Sequence, residues 1–201
     1  MQFPDFFESA PRIIVRDPLA RFLGAAEDGI IEYRYADAVK LAGHSCPTVA
    51  SAYLMTRAAL AALYRDSLPE RGGIRVELRE ERLAGVAGVV ANVASLLTGA
   101  TQDTGFKGIG GRFDRRGLLF FGVDIPAQLR FTRTDTGAAV SVSARLERVP
   151  ADPRIPLLLP RCLAGAATAA EATLFQSLWQ DRVRTLLLER ADDPQVMVIH
   201  N

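Results

Sequence analysis

The sequence predicts an α+β (α/β) fold in which an antiparallel sheet of hairpins packs against a buried alanine-rich helix and a long C-terminal helix. Three observations lead to this prediction. Residues 47–65 combine many alanines with apolar side chains at helical spacing, residues 118–146 contain strand-like runs separated by tight-turn sequences, and residues 164–190 carry a continuous apolar stripe. The length of 201 residues suits a single domain, residues 1–201, with residues 150–201 as a C-terminal helical extension.

The sequence of the first part of the chain predicts mainly helices. Short helices are expected before residue 30, interrupted at Pro11 and Pro18, followed by a strand at residues 30–33 and a helix at residues 35–41. The helix at residues 47–65 should be largely buried, because its many alanines favour helix and let another backbone approach closely.

The middle of the chain predicts a strand, a helix, a glycine-rich loop and then sequential hairpins. Alternation of apolar and charged residues indicates a half-buried strand at residues 74–79, and apolar residues indicate a helix at 87–97. The elements expected after it are a glycine-rich loop at 98–111, antiparallel strands at 118–123, 127–132 and 138–146, and tight turns at 124–126 and 135–137. Four prolines precede the long C-terminal helix, Pro194 ends it, and residues 195–199 predict a last strand.

Composition excludes several classes of function. A formal net charge of +1 gives no strong attraction to nucleic acid or anionic lipid. The longest nearly uncharged run falls short of the roughly 20 residues that cross a bilayer, and the amino terminus lacks a secretory signal, so we expect a cytoplasmic protein. All but two of the 24 basic residues are Arg, which indicates a GC-rich bacterial genome. The two cysteines are interpreted as free thiols or metal ligands.

The chemistry most evident in the sequence lies at residues 43–47, which read Gly-His-Ser-Cys-Pro. Pro47 marks the first turn of a helix, so Cys46 is placed where unpaired backbone N–H groups stabilise a thiolate. His44 lies two residues earlier, close enough for both side chains to bind one ion. His44 and Cys46 are therefore the candidate metal ligands and the candidate catalytic pair, although structural zinc needs four ligands and catalytic zinc usually three from protein.

Two segments resemble the FmdE-like family of formylmethanofuran dehydrogenase components. The run at residues 42–48 resembles its His-Gly-His-x-Cys-Pro-Gly signature, and residues 89–108 resemble its second, cysteine-containing motif. The second match rests on Asn92, Ser95, Thr98-Gly99-Ala100-Thr101 and Gly105-Phe106-Lys107-Gly108. The likeness covers about residues 30–146. Ala42, Val89, Ala100 and Asn92 stand where the family has His, Cys, Cys and Asp.

The resemblance implies a metal-binding α/β domain, commonly a homodimer, with an accessory or unidentified catalytic role. A zinc-type ion would be held by His44 and Cys46 and completed by water, substrate or a partner chain. Lys107, Asn92 and Thr101 are the ligand-binding candidates that the second motif implies.

Other functions fit the same residues. Cys46 can act as the nucleophile of a thiol-based enzyme with His44 as its base. A small-ligand or haem-binding module would use the Cys46 thiolate as an iron ligand, and a metal-free dimeric scaffold would use neither residue.

The glycine-rich loop offers a separate anion site. Lys107, Arg112, Arg115 and Arg116 can hold a phosphate or carboxylate beside backbone N–H groups. A Walker A site is excluded, because Gly108 rather than Ser or Thr follows Lys107.

Overall fold

The computed structural model of the protein describes residues 2–200. The helices are Pro18–Phe22 (α1), Tyr35–Ala42 (α2), Pro47–Tyr64 (α3), Ala87–Thr98 (α4), Ile155–Leu163 (α5) and Ala169–Arg184 (α6). The strands are Ile13–Arg16 (β1), Ile30–Tyr33 (β2), Ile74–Leu78 (β3), Leu119–Phe120 (β4), Leu129–Arg133 (β5), Ala139–Ala144 (β6) and Met197–His200 (β7). A 3₁₀ turn at Asp5–Ser9 precedes β1, and a π-helical turn at Thr185–Glu189 follows α6.

The sheet confirms the predicted fold class. Five strands follow the order β4-β3-β5-β6-β7, and every neighbouring pair is antiparallel except β3 with β4. Strands β1 and β2 form a separate antiparallel pair. Helix α3 packs against α4 and against β6, so helices cover one face of the larger sheet. This arrangement matches the expected sheet and buried helix.

Helix α3 forms the centre of the hydrophobic core, as its composition predicts. Ala50, Ala52 and Ala59 are fully buried, and Tyr53 and Leu54 are buried beside them. The small side chains of α3 let α4 approach closely. A helix with one strongly polar face would have to keep that face towards water. The loop that precedes α3 is therefore attached to a helix that is buried along most of its length.

The predicted hairpin between residues 118–123 and 127–132 is wrong. Strand β4 is only two residues long and pairs in parallel with β3, so that β3 lies between β4 and β5. The hairpin of β5 and β6 around residues 135–137 is confirmed, with Leu129 opposite Val142. Strand β1 is absent from the sequence prediction, because its four residues give too short an alternation to recognise.

The predicted C-terminal helix at residues 164–190 is present as α6 and the π-helical turn that follows it, but it begins later, at Ala169, and a separate helix, α5, precedes it. Gly165 adopts a left-handed conformation, φ +65°, after the end of α5. Thr168 and Glu171 then form a capping box that starts α6, with the Thr168 hydroxyl accepting from the Glu171 backbone N–H at 3.2 Å. The expected last strand is present as β7, which pairs with β6.

A buried carboxylate on the second face of the sheet gives a testable contribution to stability. Glu77 is 1% exposed and accepts from Arg130 Nε at 2.6 Å and Nη2 at 2.9 Å and from Arg75 Nη2 at 2.7 Å. The hydrogen bonds from Arg130 hold the pKa of Glu77 below its usual value, despite the opposing effect of burial.

We expect Glu77→Gln to lower the free energy of unfolding by about 2 kcal/mol at neutral pH, because charge-assisted hydrogen bonds are lost from a buried group. A pKa lowered by folding contributes stability that is complete above the unfolded value near 4 and is lost as the pH falls below it. Urea titrations at pH 7 and at pH 3 should therefore show the difference from wild type shrinking in acid. The exposed Asp135–Arg133 pair is the control, and an equal loss in Asp135→Asn would contradict the assignment.

None of the helices within residues 2–200 has both the length and the apolar character that crossing a membrane requires.

Candidate functional site

Residues 43–46 form the connection between α2 and α3, at the place where the sequence predicts a helix start. Gly43 ends α2 in a left-handed conformation with φ +75°, which glycine adopts without strain. Cys46 caps α3, its Sγ accepting from the Val49 backbone N–H at 3.5 Å, and Pro47 is the first helical residue. The predicted helix start at Pro47 is confirmed.

His44 and Cys46 lie in different surroundings. Cys46 is 8% exposed and belongs to the hydrophobic core, whereas the His44 ring is exposed. His44 Nδ1 is 3.0 Å from the carbonyl oxygen of Ala42. A carbonyl can only accept, so Nδ1 carries the hydrogen and Nε2 of the neutral ring is left as an acceptor. The imidazole is thus oriented by the last residue of α2.

The donors for the implied zinc ion fall short of a coordination site. Over residues 2–200, no group of three or more His, Cys, Asp or Glu side chains is arranged to hold a metal. Ala42, Val89 and Ala100 occupy positions where the family has ligand-type residues, and Ala100 is fully buried. His44 and Cys46 supply at most two of the three or four protein ligands that zinc takes. The zinc site stays a prediction to which the geometry adds no further donor.

Ser45 links the loop to the C-terminal helix, a role that the sequence did not reveal. Its Oγ donates to Gln180 Oε1 at 2.9 Å and lies 3.0 Å from the Tyr35 hydroxyl. Its carbonyl oxygen accepts from Trp179 Nε1 at 3.1 Å and from Gln180 Nε2 at 3.2 Å. These bonds hold α6 against the His44 loop and use the hydroxyl and the carbonyl oxygen of Ser45.

An apolar cleft opens beside His44. Its volume is about 560 Å³, and its walls come from the N-terminal segment, α2, the loop at residues 43–46, α5 and α6. The lining residues are Phe3, Pro4, Phe7, Val39, His44, Ser45, Leu159, Phe175, Gln176, Trp179 and Gln180. Phe175 and Trp179 form one aromatic wall, with ring centroids 5.6 Å apart. The cleft therefore combines a large apolar surface with a few polar side chains.

The ligand-binding candidates of the second motif lie elsewhere. Lys107 is exposed on the glycine-rich loop, and Asn92 is exposed on α4. Thr101 donates from Oγ1 to the carbonyl oxygen of Arg115 at 2.6 Å, which ties the two ends of that loop together. Within the described chain none of the three lines the cleft beside His44. The structure does not bring them together with His44 and Cys46.

The two thiols should differ in reactivity. Cys46 is buried, whereas Cys162 is partly exposed on α5. We expect alkylation of the native protein to modify Cys162 and to leave Cys46 unlabelled until the protein is denatured, because the reagent must reach the sulfur. Mass spectrometry of Cys162→Ser measures Cys46 alone. Rapid labelling of Cys46 in that native variant would restore the thiol-enzyme interpretation.

A scan against protein-family models finds no match, and a search of curated proteins finds none either. The resemblance to the FmdE-like family therefore stays a prediction, as does the homodimer that it implies.

Proposed function

We propose that this protein binds a small aromatic or otherwise apolar molecule in the cleft beside His44, and that the molecule presents a hydrogen-bond donor to the imidazole. The observation that supports this proposal is the cleft itself. It is a concave space of about 560 Å³, and five segments of the chain form its walls. Ligand pockets typically fall between about 300 and 1,000 Å³, with mostly apolar walls and a few polar groups. The cleft has both properties.

Size also favours this cleft over the smaller cavity between α3, α4 and the sheet. That cavity has a volume of about 80 Å³ and is lined by residues such as Met55, Leu78 and Val90. It has room for a few water molecules or a very small solute. An organic ligand of ordinary size needs a larger space, such as the cleft beside His44.

His44 provides the polar contact in this proposal. The hydroxyl and the carbonyl oxygen of Ser45 are already used by Tyr35, Trp179 and Gln180, whereas His44 Nε2 has no hydrogen-bond partner among residues 2–200. An acceptor on the rim of an apolar cleft selects ligands with a hydroxyl or N–H group, because a mismatched polar group loses its hydrogen bond on entry. Trp179 and Phe175 then offer faces on which an aromatic ring can stack.

A matched pair of probes tests the proposal. Naphthol and methoxynaphthalene share an aromatic body, but only naphthol donates a hydrogen bond. We expect calorimetric titration to show naphthol binding about fivefold more tightly, since one hydrogen bond contributes about 1 kcal/mol. In His44→Ala the two affinities should become equal. If neither naphthol nor methoxynaphthalene binds, a small-ligand site of this chemistry is refuted.

The rival metal interpretation is tested on the same preparation. Elemental analysis of untreated protein should find no stoichiometric zinc if the cleft works without a metal. Zinc at one equivalent, lost in both His44→Ala and Cys46→Ser, would favour the metal-binding function that the sequence resemblance implies.

A further inference from the structure

A second cluster of charged side chains lies away from the His44 cleft, where β1 meets α1 and the glycine-rich loop returns to the sheet. Asp17 is 3% exposed and accepts from two guanidinium groups: Arg71 Nη1 at 2.8 Å from Oδ2, and Arg115 Nη2 at 2.7 Å from Oδ1. Arg71 is completed by the carbonyl oxygen of Leu96, 3.1 Å from both Nε and Nη2. One carboxylate therefore pairs with two cations in a largely buried place.

Arg115 is left with unused donors. The residue is 5% exposed, and its Nε and Nη1 atoms are the buried side-chain nitrogen or oxygen atoms in residues 2–200 that have no hydrogen-bond partner. Nη1 packs directly on Gly72, where an added Cβ would overlap the guanidinium group. A buried N–H without an acceptor loses the hydrogen bond that water would give it, and the loss is larger on a charged group. Such a group in a native protein calls for a partner that completes it.

A cavity of about 440 Å³ adjoins this cluster. Its lining includes three arginines, two glycines and one aromatic residue, namely Arg71, Arg112, Arg115, Gly72, Gly73 and Phe113. Arg112 stacks its guanidinium over the Phe113 ring, 4.8 Å from the centroid, and no carboxylate in the described chain pairs with it. Arginine in this setting keeps its planar array of donors free for a doubly charged oxygen ligand.

The charges around the cavity do not balance. Asp114 also lines it, but that carboxylate is taken by Arg116 through hydrogen bonds of 3.0 and 2.7 Å. Glu70 lies at the exposed rim. Asp17 and Glu70 together offset two of the three arginines at 71, 112 and 115, so the cavity carries one positive charge in excess. An anion is the ligand that this excess attracts.

We propose that this cavity binds a phosphoryl group, with Arg112 and the unused N–H groups of Arg115 as its donors. Phosphate oxygens match the planar guanidinium fork in spacing and charge. The site differs from the anion site expected in the glycine-rich loop. Lys107 is absent from its wall within the described residues, Arg116 is committed to Asp114, and Arg71, outside the loop, joins it instead.

Inorganic phosphate is the first probe. Thermal unfolding of the full chain should be measured against phosphate concentration, with sodium chloride keeping the ionic strength constant. A ligand that binds only the folded state raises the midpoint progressively with concentration, and calorimetry then gives the dissociation constant. Glycerol phosphate forms the second arm: tighter binding than inorganic phosphate assigns the site to phosphate monoesters, and the reverse assigns it to the free ion.

Two substitutions that each remove one positive charge test where phosphate binds. Arg112→Gln removes a proposed donor that has no carboxylate partner in residues 2–200, so the variant should fold, and we expect phosphate to bind about tenfold more weakly. Lys107→Gln removes one positive charge from the same loop but outside the cavity wall, and we expect less than about a twofold change. Arg115→Lys keeps the charge and removes the unused donors, so it should also weaken binding.

Three results would overturn the assignment. The first is a midpoint that depends on ionic strength alone, with no added effect of phosphate. The second is an equal loss of affinity in Arg112→Gln and Lys107→Gln, which would indicate a diffuse attraction. The third is unchanged phosphate affinity in a folded Arg115→Lys protein. If Arg115→Lys does not fold, the comparison of Arg112→Gln with Lys107→Gln decides.

Discussion

Replacing Asp17 by Ala should destabilise the protein by about 3–5 kcal/mol, because it removes the shared partner of two buried cations and leaves their charges uncompensated. The side-chain exposure of Asp17 is 4%, that of Arg115 is 6% and that of Arg71 is 22%. A loss of this size is a large fraction of the total stability of a typical domain, about 5–15 kcal/mol. Urea unfolding followed by circular dichroism measures it.

Asp17 also caps α1, so this contribution must be separated. Its Oδ1 accepts from the backbone N–H groups of Leu19 and Ala20 at 2.9 and 3.2 Å. Loss of a cap alone costs about 1 kcal/mol, and Thr168→Ala, which uncaps α6, provides that reference. Asp17→Asn keeps an oxygen for the cap but loses the charge. We therefore expect it to destabilise the protein nearly as much as Asp17→Ala does. A loss in Asp17→Ala no greater than in Thr168→Ala would contradict the ionic explanation.

The same carboxylate should influence stability in acid. Burial raises the pKa of Asp17, but the hydrogen bond from Arg71 and the charge of Arg115 outweigh it and hold the pKa below its usual value. The contribution of Asp17 is therefore complete above about pH 4 and is lost as the pH falls through the lower, folded value. The stability difference between wild type and Asp17→Asn should shrink over that acid range.

Filling the cleft beside His44 should abolish most ligand binding. Leu159 lies on α5, lines the cleft and is half-buried. Leu159→Trp places an indole in the space that the ligand occupies, and we expect naphthol to bind with a penalty of roughly 2 kcal/mol, or about thirtyfold in Kd. Because the new ring extends into an open cleft rather than a packed core, the unfolding midpoint should change little.

Leu157→Trp is the matched control for this substitution. Leu157 lies on the same helix, is 71% exposed and is absent from the cleft wall within the described chain. It adds the same side chain without occupying the cleft, so the affinity for naphthol should equal that of wild type. Equal weakening in both variants would place the binding site elsewhere or show that α5 itself had shifted.

Local elements of the fold could be predicted from the sequence, whereas the strand order could not. The alanines of α3 and the proline at its start specify a buried helix through short-range preferences. The pairing of β4 with β3 instead of β5 depends on contacts between residues about forty apart, as in Val76 opposite Leu119. Hydrophobic alternation defines a strand but does not identify its neighbour.

The same distinction applies to the two candidate sites. The position of His44 at a helix start follows from neighbouring residues, but the cleft beside it requires α6, which reaches the loop through Ser45 and Gln180, 135 residues apart. The residues next to Trp179 in the sequence give no sign of a cleft. The sequence places Arg115 among the anion-binding candidates of the glycine-rich loop but does not predict that it is buried. Its burial depends on Asp17, 98 residues away, and on the absence of a side chain at Gly72.

The indole N–H of Trp179 allows ligand binding in the cleft to be measured at a single site. It is the only tryptophan of the chain, and its indole N–H donates to the carbonyl oxygen of Ser45 in the cleft wall. A two-dimensional ¹H–¹⁵N spectrum therefore contains a single indole signal that reports on the cleft. We expect naphthol to shift this signal saturably, with the dissociation constant found by calorimetry. Saturable binding of naphthol that leaves the Trp179 signal unmoved would contradict the assignment of the cleft as the ligand site.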